Sequence, residues 1–226
     1  MRSTRKSFSM LYTMRTPLLV AVALASSACA SWSNKQKGAV IGAAGGAAAG
    51  GVIGNQTGST ARGAIIGAVI GGTAGAVIGH QMDQQAKELK IDIPGAIVER
   101  VGEGIQVTFA SGLLYDFDSD AIRPEAATNL QNLAISLKKY PNTTLLVVGH
   151  TDALGSTAYN QDLSTRRATS ASTYLTMQGV ATSRVNTSGR GELESVASNE
   201  TEAGRQKNRR IEVAIFAGPT ARTSSQ

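Results

Sequence analysis

Asp152 and Arg167 are the two residues whose charges and spacing could recognise a ligand. An apolar run at 145–148 predicts a buried strand, and a polar loop carrying His150, Thr151 and Asp152 follows it. Arg167 lies fifteen residues after Asp152, on the helix predicted to follow that loop. A carboxylate on a loop and a guanidinium on the next helix can together bind a molecule that carries both an ammonium and a carboxylate group.

The helical pattern favours Arg167 over its neighbour Arg166. At about 100° per residue, Arg167 falls within the apolar arc of the helix, whereas Arg166 points elsewhere. An arginine on the buried side of a helix needs a partner, and Asp152 is the obvious candidate. Spacing alone leaves two interpretations open: a structural ion pair that fastens the loop to the helix, or two charges that share a ligand. The same arc contains Asn160, Leu163, Ala168, Ala171, Tyr174 and Leu175.

An enzymatic interpretation would use the acids and the histidine of the C-terminal half. Asp116, Asp118, His150 and Asp152 supply groups that can exchange protons. However, two histidines and a single cysteine give no repeated metal-ligand spacing. Ser164 does not lie in a Gly-x-Ser-x-Gly sequence, which argues against a serine nucleophile. We therefore predict no enzymatic activity, no metal site and no cofactor.

The elements that must position these residues form an α+β domain. Helices are predicted at 124–140, opened by a proline, and at 157–178, ended by Gly179. The order β-α-β-α-β-(α)-β gives a mixed sheet with helices on one face. We place this domain at 105–217, after a linker or edge hairpin at 91–104. The predicted strands are 96–101, 105–109, 143–148, 185–189 and 210–216, with an extended segment at 113–120 and a short helix at 201–206.

Glycine recurs every four residues in two repeated blocks within 38–79. Glycine disfavours a helix in water by about 1 kcal/mol per residue. A period of four, however, aligns the glycines in one stripe where two helices can approach closely. We predict a glycine-zipper helical hairpin at 38–90, whose polar end at 80–90 continues into water until the Pro-Gly pair at 94–95. Two purposes stay open: insertion or self-association at a membrane, and a soluble stalk.

The N-terminal segment has the pattern of an export signal. Residues 1–28 combine basic residues, a short apolar run and small residues, as a signal peptide does. Cys29, the single cysteine, lies where a bacterial lipoprotein signal places its acylated residue, and Ala30 after it indicates the outer membrane. The alternative is ordinary cleavage just before the cysteine, which leaves a free thiol. Residues 29–37 are then an anchor and linker, and 218–226 are predicted as a disordered tail.

The distribution of charge argues against a nucleic-acid partner. The formal net charge is +6, but residues 1–28 contribute four basic residues and no acid. Residues 91–226 contain 13 Lys and Arg against 14 Asp and Glu, so the predicted domain is close to neutral. A nucleic-acid binder concentrates positive charge on its folded domain, which this sequence does not do.

Ordered motifs of the C-terminal half resemble those of the OmpA-like peptidoglycan-binding domain. They include G-H-T-D at 149–152, L-S-T-R-R-A at 163–168 and N-R-R-I-E-V at 208–213, and the resemblance covers roughly 105–217. It implies an outer-membrane lipoprotein whose domain lies in the periplasm. Such a protein tethers the membrane to the cell wall by binding the diaminopimelate residue of peptidoglycan stem peptides without a covalent bond.

The resemblance also implies roles for individual residues. In that family the loop aspartate takes the ammonium group of diaminopimelate and the helix arginine takes its carboxylate; the matching residues are Asp152 and Arg167. The other matched positions are Thr151, Asn160 and Leu163, which line the site in the family, Asp116 and Asp118, which match its acidic rim, and Arg210, which is expected to order the site. The alternative is a protein that inserts in the membrane or self-associates through its glycine zippers, and that the OmpA-like domain only positions.

Overall fold

The computed structural model describes residues 59–70 and 76–218. The predicted signal segment, Cys29, the first glycine block and the last residues of the tail lie outside the described residues. The elements are helices α1 (Thr60–Ile70) and α2 (Ala76–Asp92), strands β1 (Ile97–Val101) and β2 (Gly104–Ala110), helices α3 (Ser111–Leu114) and α4 (Pro124–Lys139), strand β3 (Thr143–His150), helix α5 (Thr157–Met177), strand β4 (Val185–Gly189), helix α6 (Glu202–Asn208) and strand β5 (Arg210–Ala217).

Five strands form one mixed sheet in the order β1-β2-β5-β3-β4. Strands β3 and β4 are parallel, because helix α5 carries the chain back across the sheet between them. The other neighbouring pairs are antiparallel. The last strand of the chain, β5, lies in the middle of the sheet between β2 and β3. The predicted α+β class and mixed sheet are confirmed. The predicted extended segment 113–120 differs, since it begins inside the short helix α3 and forms a single bridge between Tyr115 and Ile122 rather than a strand.

The main core lies between the sheet and helices α4 and α5. Proline starts α4, and the side chain of Ser156 caps α5 by accepting a hydrogen bond from the Tyr159 N–H at 3.2 Å. The apolar faces of both helices then meet the alternate residues of β3 and β5 that point to the same side. These fully buried residues include Leu130, Leu133, Leu137, Ala168, Leu175, Leu145, Val147, Val213 and Ile215.

Helix α2 belongs to this core, although its sequence predicted a solvated continuation of the zipper. Met82, Ala86 and Leu89 are buried in the same cluster as the residues of α4. Gln85 is also buried and donates a hydrogen bond to Ser136 on α4 at 3.2 Å. The charged residues of α2 occupy its other side, so a largely polar sequence still presents one apolar stripe.

Helix α1 covers the opposite face of the sheet. Ala61 and Ile65 are fully buried against Val148 and Ala214, the residues of β3 and β5 that point away from the main core. A Cβ atom at Gly104 of β2 would overlap the Ile65 side chain, so glycine lets this helix approach closely. The predicted arrangement, with helices on one face of the sheet, therefore holds for the domain from 105 onward. Helix α1 adds a layer on the other face.

Within 59–70 and 76–218, no helix combines the length and the apolar character that crossing a bilayer requires. The predicted pairing of the two glycine stripes involves the first block, which lies outside the described residues.

Candidate functional site

A cavity of about 510 Å³ opens where strand β3 ends and helix α5 begins. Its volume falls in the usual range for small-ligand pockets, roughly 300–1,000 Å³. Seven of the eight residues predicted for the binding site line it: Asp116, Asp118, Thr151, Asp152, Asn160, Leu163 and Arg167. The eighth, Arg210, lies elsewhere.

Glycine positions helix α5 over the sheet beside this cavity. Gly149 and Gly189 are paired in register on β3 and β4. A Cβ atom at Gly149 would overlap the backbone carbonyl of Ser164, and one at Gly189 would overlap Thr165. Because both Cβ atoms are missing, the first half of α5 lies close to the strands. Asn160, Leu163 and Arg167 on its inner face consequently meet the loop that follows β3.

Asp152 is held in place by partners outside helix α5. One carboxylate oxygen accepts a hydrogen bond from the Leu154 N–H at 3.0 Å, and the other binds Arg209 Nη1 at 2.5 Å. The residue is buried, so both contacts offset the cost of removing its charge from water. A carboxylate has about four lone-pair positions, and these two contacts leave room for an ammonium ligand.

Arg167 is also held by groups other than Asp152. Its Nε donates to the Ser119 carbonyl at 2.8 Å and its Nη2 to the Asp116 carbonyl at 3.4 Å. Tyr115 lies beneath it, with the guanidinium carbon 5.3 Å from the ring centre and its hydroxyl donating to the Arg167 carbonyl at 2.7 Å. Burial lowers the pKa of Arg167, while Tyr115 and the nearby acids raise it. Two backbone carbonyls use only part of its five N–H donors.

Asp152 and Arg167 therefore face one cavity without pairing with each other. The salt bridges of the described residues join Asp152 to Arg209 and give Arg167 no acidic side-chain partner. Of the two interpretations that spacing left open, a direct ion pair between loop and helix is not what the structure has. An anchored acid and an anchored base in one pocket can instead contact the two charges of a zwitterion.

The neighbouring arginines of the Asn-Arg-Arg motif point in different directions. Arg209 lines the cavity, where it binds Asp152 and, at 2.6 Å, Glu202. Arg210 is the first residue of β5, is buried on the side of the sheet that α1 covers, and binds Glu212 at 2.7 Å. Arg210 therefore does not line the cavity, and its expected role in ordering the site stays a prediction. Of this motif, Arg209 is the arginine that lines the cavity.

Two buried hydroxyl groups add polar positions to the cavity wall. The side chains of Ser111 and Thr151 have no hydrogen-bond partner among the described residues, and both residues line the cavity. The Thr151 N–H donates to the Gly191 carbonyl at 2.8 Å, which fixes its backbone. Ser111 was not predicted from the sequence, because nothing in its local pattern distinguishes it from an ordinary end of a strand.

The rim of the cavity carries both apolar and acidic residues. Phe117 and Leu154 are largely exposed at its edge. The Tyr159 hydroxyl contacts Asp118, whose φ of 55° is an uncommon conformation for a residue with a side chain. Such backbone strain often marks a functional loop. The apolar residues offer a surface for the uncharged part of a ligand.

His150 lies behind the cavity rather than in it. It is fully buried, with Nδ1 3.9 Å from Glu194 and Nε2 3.7 Å from Glu212. Burial lowers its pKa, and Arg210 acts in the same direction against the two acids. A neutral, enclosed histidine is poorly placed to exchange protons with a ligand. In the described part of the chain, no group of three His, Cys, Asp or Glu side chains is placed to bind a metal ion.

The fold and the cavity define a ligand-binding domain of the mixed α+β class. Comparison with protein families adds two matches: the OmpA family at residues 114–209 and the YMGG-like Gly-zipper family at residues 10–83. The "Probable lipoprotein YiaD" of Escherichia coli is 37% identical over 136 residues, which are 59% of this chain and 62% of that protein. The "Peptidoglycan-associated lipoprotein" of Agrobacterium fabrum is 33% identical over 61% of this chain and 77% of its own length. The chain belongs to the OmpA family.

Solved structures agree on the fold of this domain. The cell wall anchor of the T6SS from Pseudomonas aeruginosa has 28% sequence identity and a TM-score of 0.50, over 62% of this chain and 96% of that one. Other curated relatives, called outer membrane porin F and outer membrane protein A, are matched over 32% and 57% of their own length. The chain thus shares one domain with several larger or differently built proteins.

Proposed function

We propose that this protein tethers the outer membrane to the cell wall by binding the diaminopimelate residue of peptidoglycan stem peptides. The observation that carries the proposal is the presence of Asp152 and Arg167 in one cavity, each anchored by groups other than its counterpart. The outer end of a diaminopimelate side chain carries an ammonium and a carboxylate on one carbon atom. Asp152 accepts hydrogen bonds from the ammonium, and Arg167 donates to the carboxylate.

The remaining residues of the cavity fit the rest of such a ligand. The hydroxyl groups of Thr151 and Ser111 offer hydrogen bonds to peptide groups beside the zwitterion. Phe117 and Leu154 offer apolar contact to the methyl groups of neighbouring alanine residues in a stem peptide. The binding step breaks no bond and needs no cofactor, so we propose no enzymatic activity.

The N-terminal part supplies the membrane end of the tether in this proposal. Two relatives are named as lipoproteins, and Cys29 follows a signal-like segment in this sequence. Acyl chains on Cys29 would attach the protein to the outer membrane, with the C-terminal domain in the periplasm. The match to the YMGG-like Gly-zipper family favours a second role for the glycine repeats, which is association of zipper helices at the membrane.

Sedimentation with insoluble peptidoglycan tests the proposal. The full chain in detergent is mixed with peptidoglycan whose stem peptides contain diaminopimelate, and bound protein is measured against concentration. Loss of either anchored charge leaves one charge of the bound ligand without its partner in the cavity. We therefore expect Asp152→Ala and Arg167→Ala each to weaken binding roughly a hundredfold, for a cost of about 3 kcal/mol. Arg166→Ala is the matched control, because this neighbouring arginine is half exposed and pairs with Asp162 and Asp120.

Competition with small molecules tests the ligand. Free meso-diaminopimelate should displace the protein from peptidoglycan, whereas pimelate lacks the ammonium groups and should not. 1,5-Diaminopentane keeps the ammonium groups but lacks both carboxylates, so it should also compete poorly. Equal sedimentation of the wild type and both cavity variants would refute the role of the cavity. Equal binding to peptidoglycan with lysine in place of diaminopimelate would refute the specificity alone.

A further inference from the structure

Helix α1 is attached to the back of the sheet by its N-terminal end. The Thr60 N–H donates to Glu194 at 2.8 Å, and the Thr60 hydroxyl donates to the same carboxylate. The Ser59 hydroxyl donates to Glu212 at 2.5 Å, and Arg190 Nε donates to the Thr60 hydroxyl at 2.8 Å. With the buried contacts of Ala61 and Ile65, residues 59–70 form a strap across this face, and we use that name below.

The acid that binds the strap belongs to a loop that also supports the ligand cavity. This loop, residues 190–194, follows β4 and passes beside the start of α5. The Gly191 carbonyl accepts the Thr151 N–H at 2.8 Å, and the Gly191 N–H donates to the Ser164 hydroxyl at 2.9 Å. Glu192 accepts hydrogen bonds from Asn160 at 2.5 Å and from Thr157 at 2.9 Å.

The two ends of the loop contact the strap, and its middle contacts the cavity wall. Arg190 and Glu194 contact the strap, whereas Gly191 and Glu192 contact the cavity wall. A side chain at Gly191 would meet the backbone of α5 at 3.1–3.3 Å, so the loop lies against that helix with little space to move. A loop confined on both sides transmits a shift at one end to the other, because packed contacts change in discrete steps.

We infer that the strap positions the ligand cavity, so that docking of the zipper segment on the back of the sheet strengthens binding in front of it. The inference rests on the proposed function, since it assigns a regulatory input to the same site. The strap continues directly into the glycine repeats, and a pull on those repeats acts on Ser59 and Thr60 first. By thermodynamic reciprocity, ligand in the cavity must stabilise the docked strap as much as the docked strap favours the ligand.

Two variants of the full chain in detergent separate this coupling from a general loss of structure. Thr60→Val keeps the side-chain shape and removes the hydroxyl bonds to Glu194 and Arg190. Ile65→Asp places a charge in the buried contact with the sheet and undocks the strap. We expect each variant to bind peptidoglycan about tenfold more weakly than the wild type, a usual size for coupling between sites. Hydrogen exchange of β3 and β5 should stay slow, which shows that the domain remains folded.

The reciprocal measurement uses a soluble muropeptide with a diaminopimelate tripeptide stem. Adding it to the wild type should slow hydrogen exchange of the amides in 60–70, which do not touch the cavity. It should not do so in Arg167→Ala, whose strap is intact. Wild-type affinity in both strap variants, with fast exchange at 60–70, would overturn the coupling and leave the cavity as the binding site. A wild type that does not bind peptidoglycan would overturn the proposed function as well.

Discussion

Asp152 binds Arg209, 2.5 Å away, and not Arg167, which lines the same cavity. The desolvated acid is therefore held by a base that Glu202 holds in turn at 2.6 Å. Contacts with Glu202 and Asp152 raise the pKa of Arg209 against the effect of burial, and contacts with Arg209 and Arg205 lower that of Glu202. This arrangement keeps Asp152 and Arg167 apart, because neither needs the other to offset its buried charge.

The adjacent arginines of the Asn-Arg-Arg motif should have separable effects. Arg209→Ala removes the partner that orients Asp152, so we expect peptidoglycan binding to fall about tenfold. Arg209 is partly exposed but offsets part of the buried charge of Asp152, so its loss should lower the free energy of unfolding by about 1–2 kcal/mol. Arg210→Ala leaves Glu212 buried without its arginine and should lower that free energy by about 3–5 kcal/mol.

Urea unfolding and peptidoglycan sedimentation, measured on both variants, distinguish the two roles. Arg210→Ala removes no contact in the cavity but does remove the donor to the Glu194 carbonyl, so its binding, measured where it is still folded, should fall no further than in the strap variants. A stable Arg210→Ala protein that no longer binds would return Arg210 to the site, as the family resemblance first implied.

The close approach of α5 to the sheet should depend on Gly149. Gly149→Ala places a methyl group against the Ser164 carbonyl and forces the start of α5 away from β3. We expect a loss of about 2–3 kcal/mol in stability, as for other overpacked sites, together with weaker binding, because Asn160, Leu163 and Arg167 move with the helix. Thermal unfolding and sedimentation measure the two effects.

Gly79→Ala is the matched control for this substitution. Gly79 lies within helix α2, and a new Cβ there would meet no atom within 4 Å among the described residues outside the local helix backbone. Alanine favours a helix over glycine by about 1 kcal/mol, so this variant should be as stable as the wild type or slightly more stable. If both substitutions leave stability and binding unchanged, the close packing at Gly149 contributes neither to the stability of the domain nor to binding.

Much of this fold could be predicted because the residues that begin and end its helices and strands give local sequence signals. Pro124 and Gly179 mark where α4 begins and where the chain leaves α5, and period-two alternation marks β5. The choice of Arg167 over Arg166 also followed from one helix period, and the structure buries Arg167 while Arg166 stays half exposed. Each of these inferences needs only neighbours within a few residues.

The remaining features depend on contacts between distant segments. Arg209 and Arg210 differ in direction because of where β5 enters the sheet, which the motif itself does not reveal. The glycine period of α1 indicated a surface for another helix, yet Ala61 and Ile65 of the same helix pack on the sheet. Which distant surface covers an apolar face is decided by tertiary packing, and a sequence pattern shows only that the face exists.

Arg167 should not be replaceable by lysine. Its planar guanidinium can donate to the Ser119 carbonyl, stack over Tyr115 and still present two parallel donors to a carboxylate. Lysine has a single charged nitrogen and cannot make these contacts together. We expect Arg167→Lys to weaken peptidoglycan binding at least about tenfold, with Arg166→Lys as an unaffected neighbour. Full binding by Arg167→Lys would mean that the site needs only a positive charge at this position.

Acid should destabilise the domain through His150 and Glu212. Burial, then the effect of Arg210, holds the pKa of His150 below its usual 6.5, so the unfolded chain takes up a proton first as pH falls below that value. Burial alone would raise the pKa of Glu212, but contacts with His150 and Arg210 lower it from 4.5 to about 2. In both cases the unfolded state binds more protons than the folded state. The free energy of unfolding therefore decreases as the pH is lowered, first below 6.5 and again between 4.5 and about 2.

His150→Gln isolates the first of these two steps. Glutamine cannot take up a proton, so the decrease in unfolding free energy between pH of about 7 and about 5 should be smaller than in the wild type. His80, which is exposed on α2, is the other histidine of the chain, and His80→Gln should leave the decrease unchanged. Urea unfolding across this range measures both variants. An unchanged decrease in His150→Gln would show that another group governs the acid response, since Glu212 titrates only at lower pH.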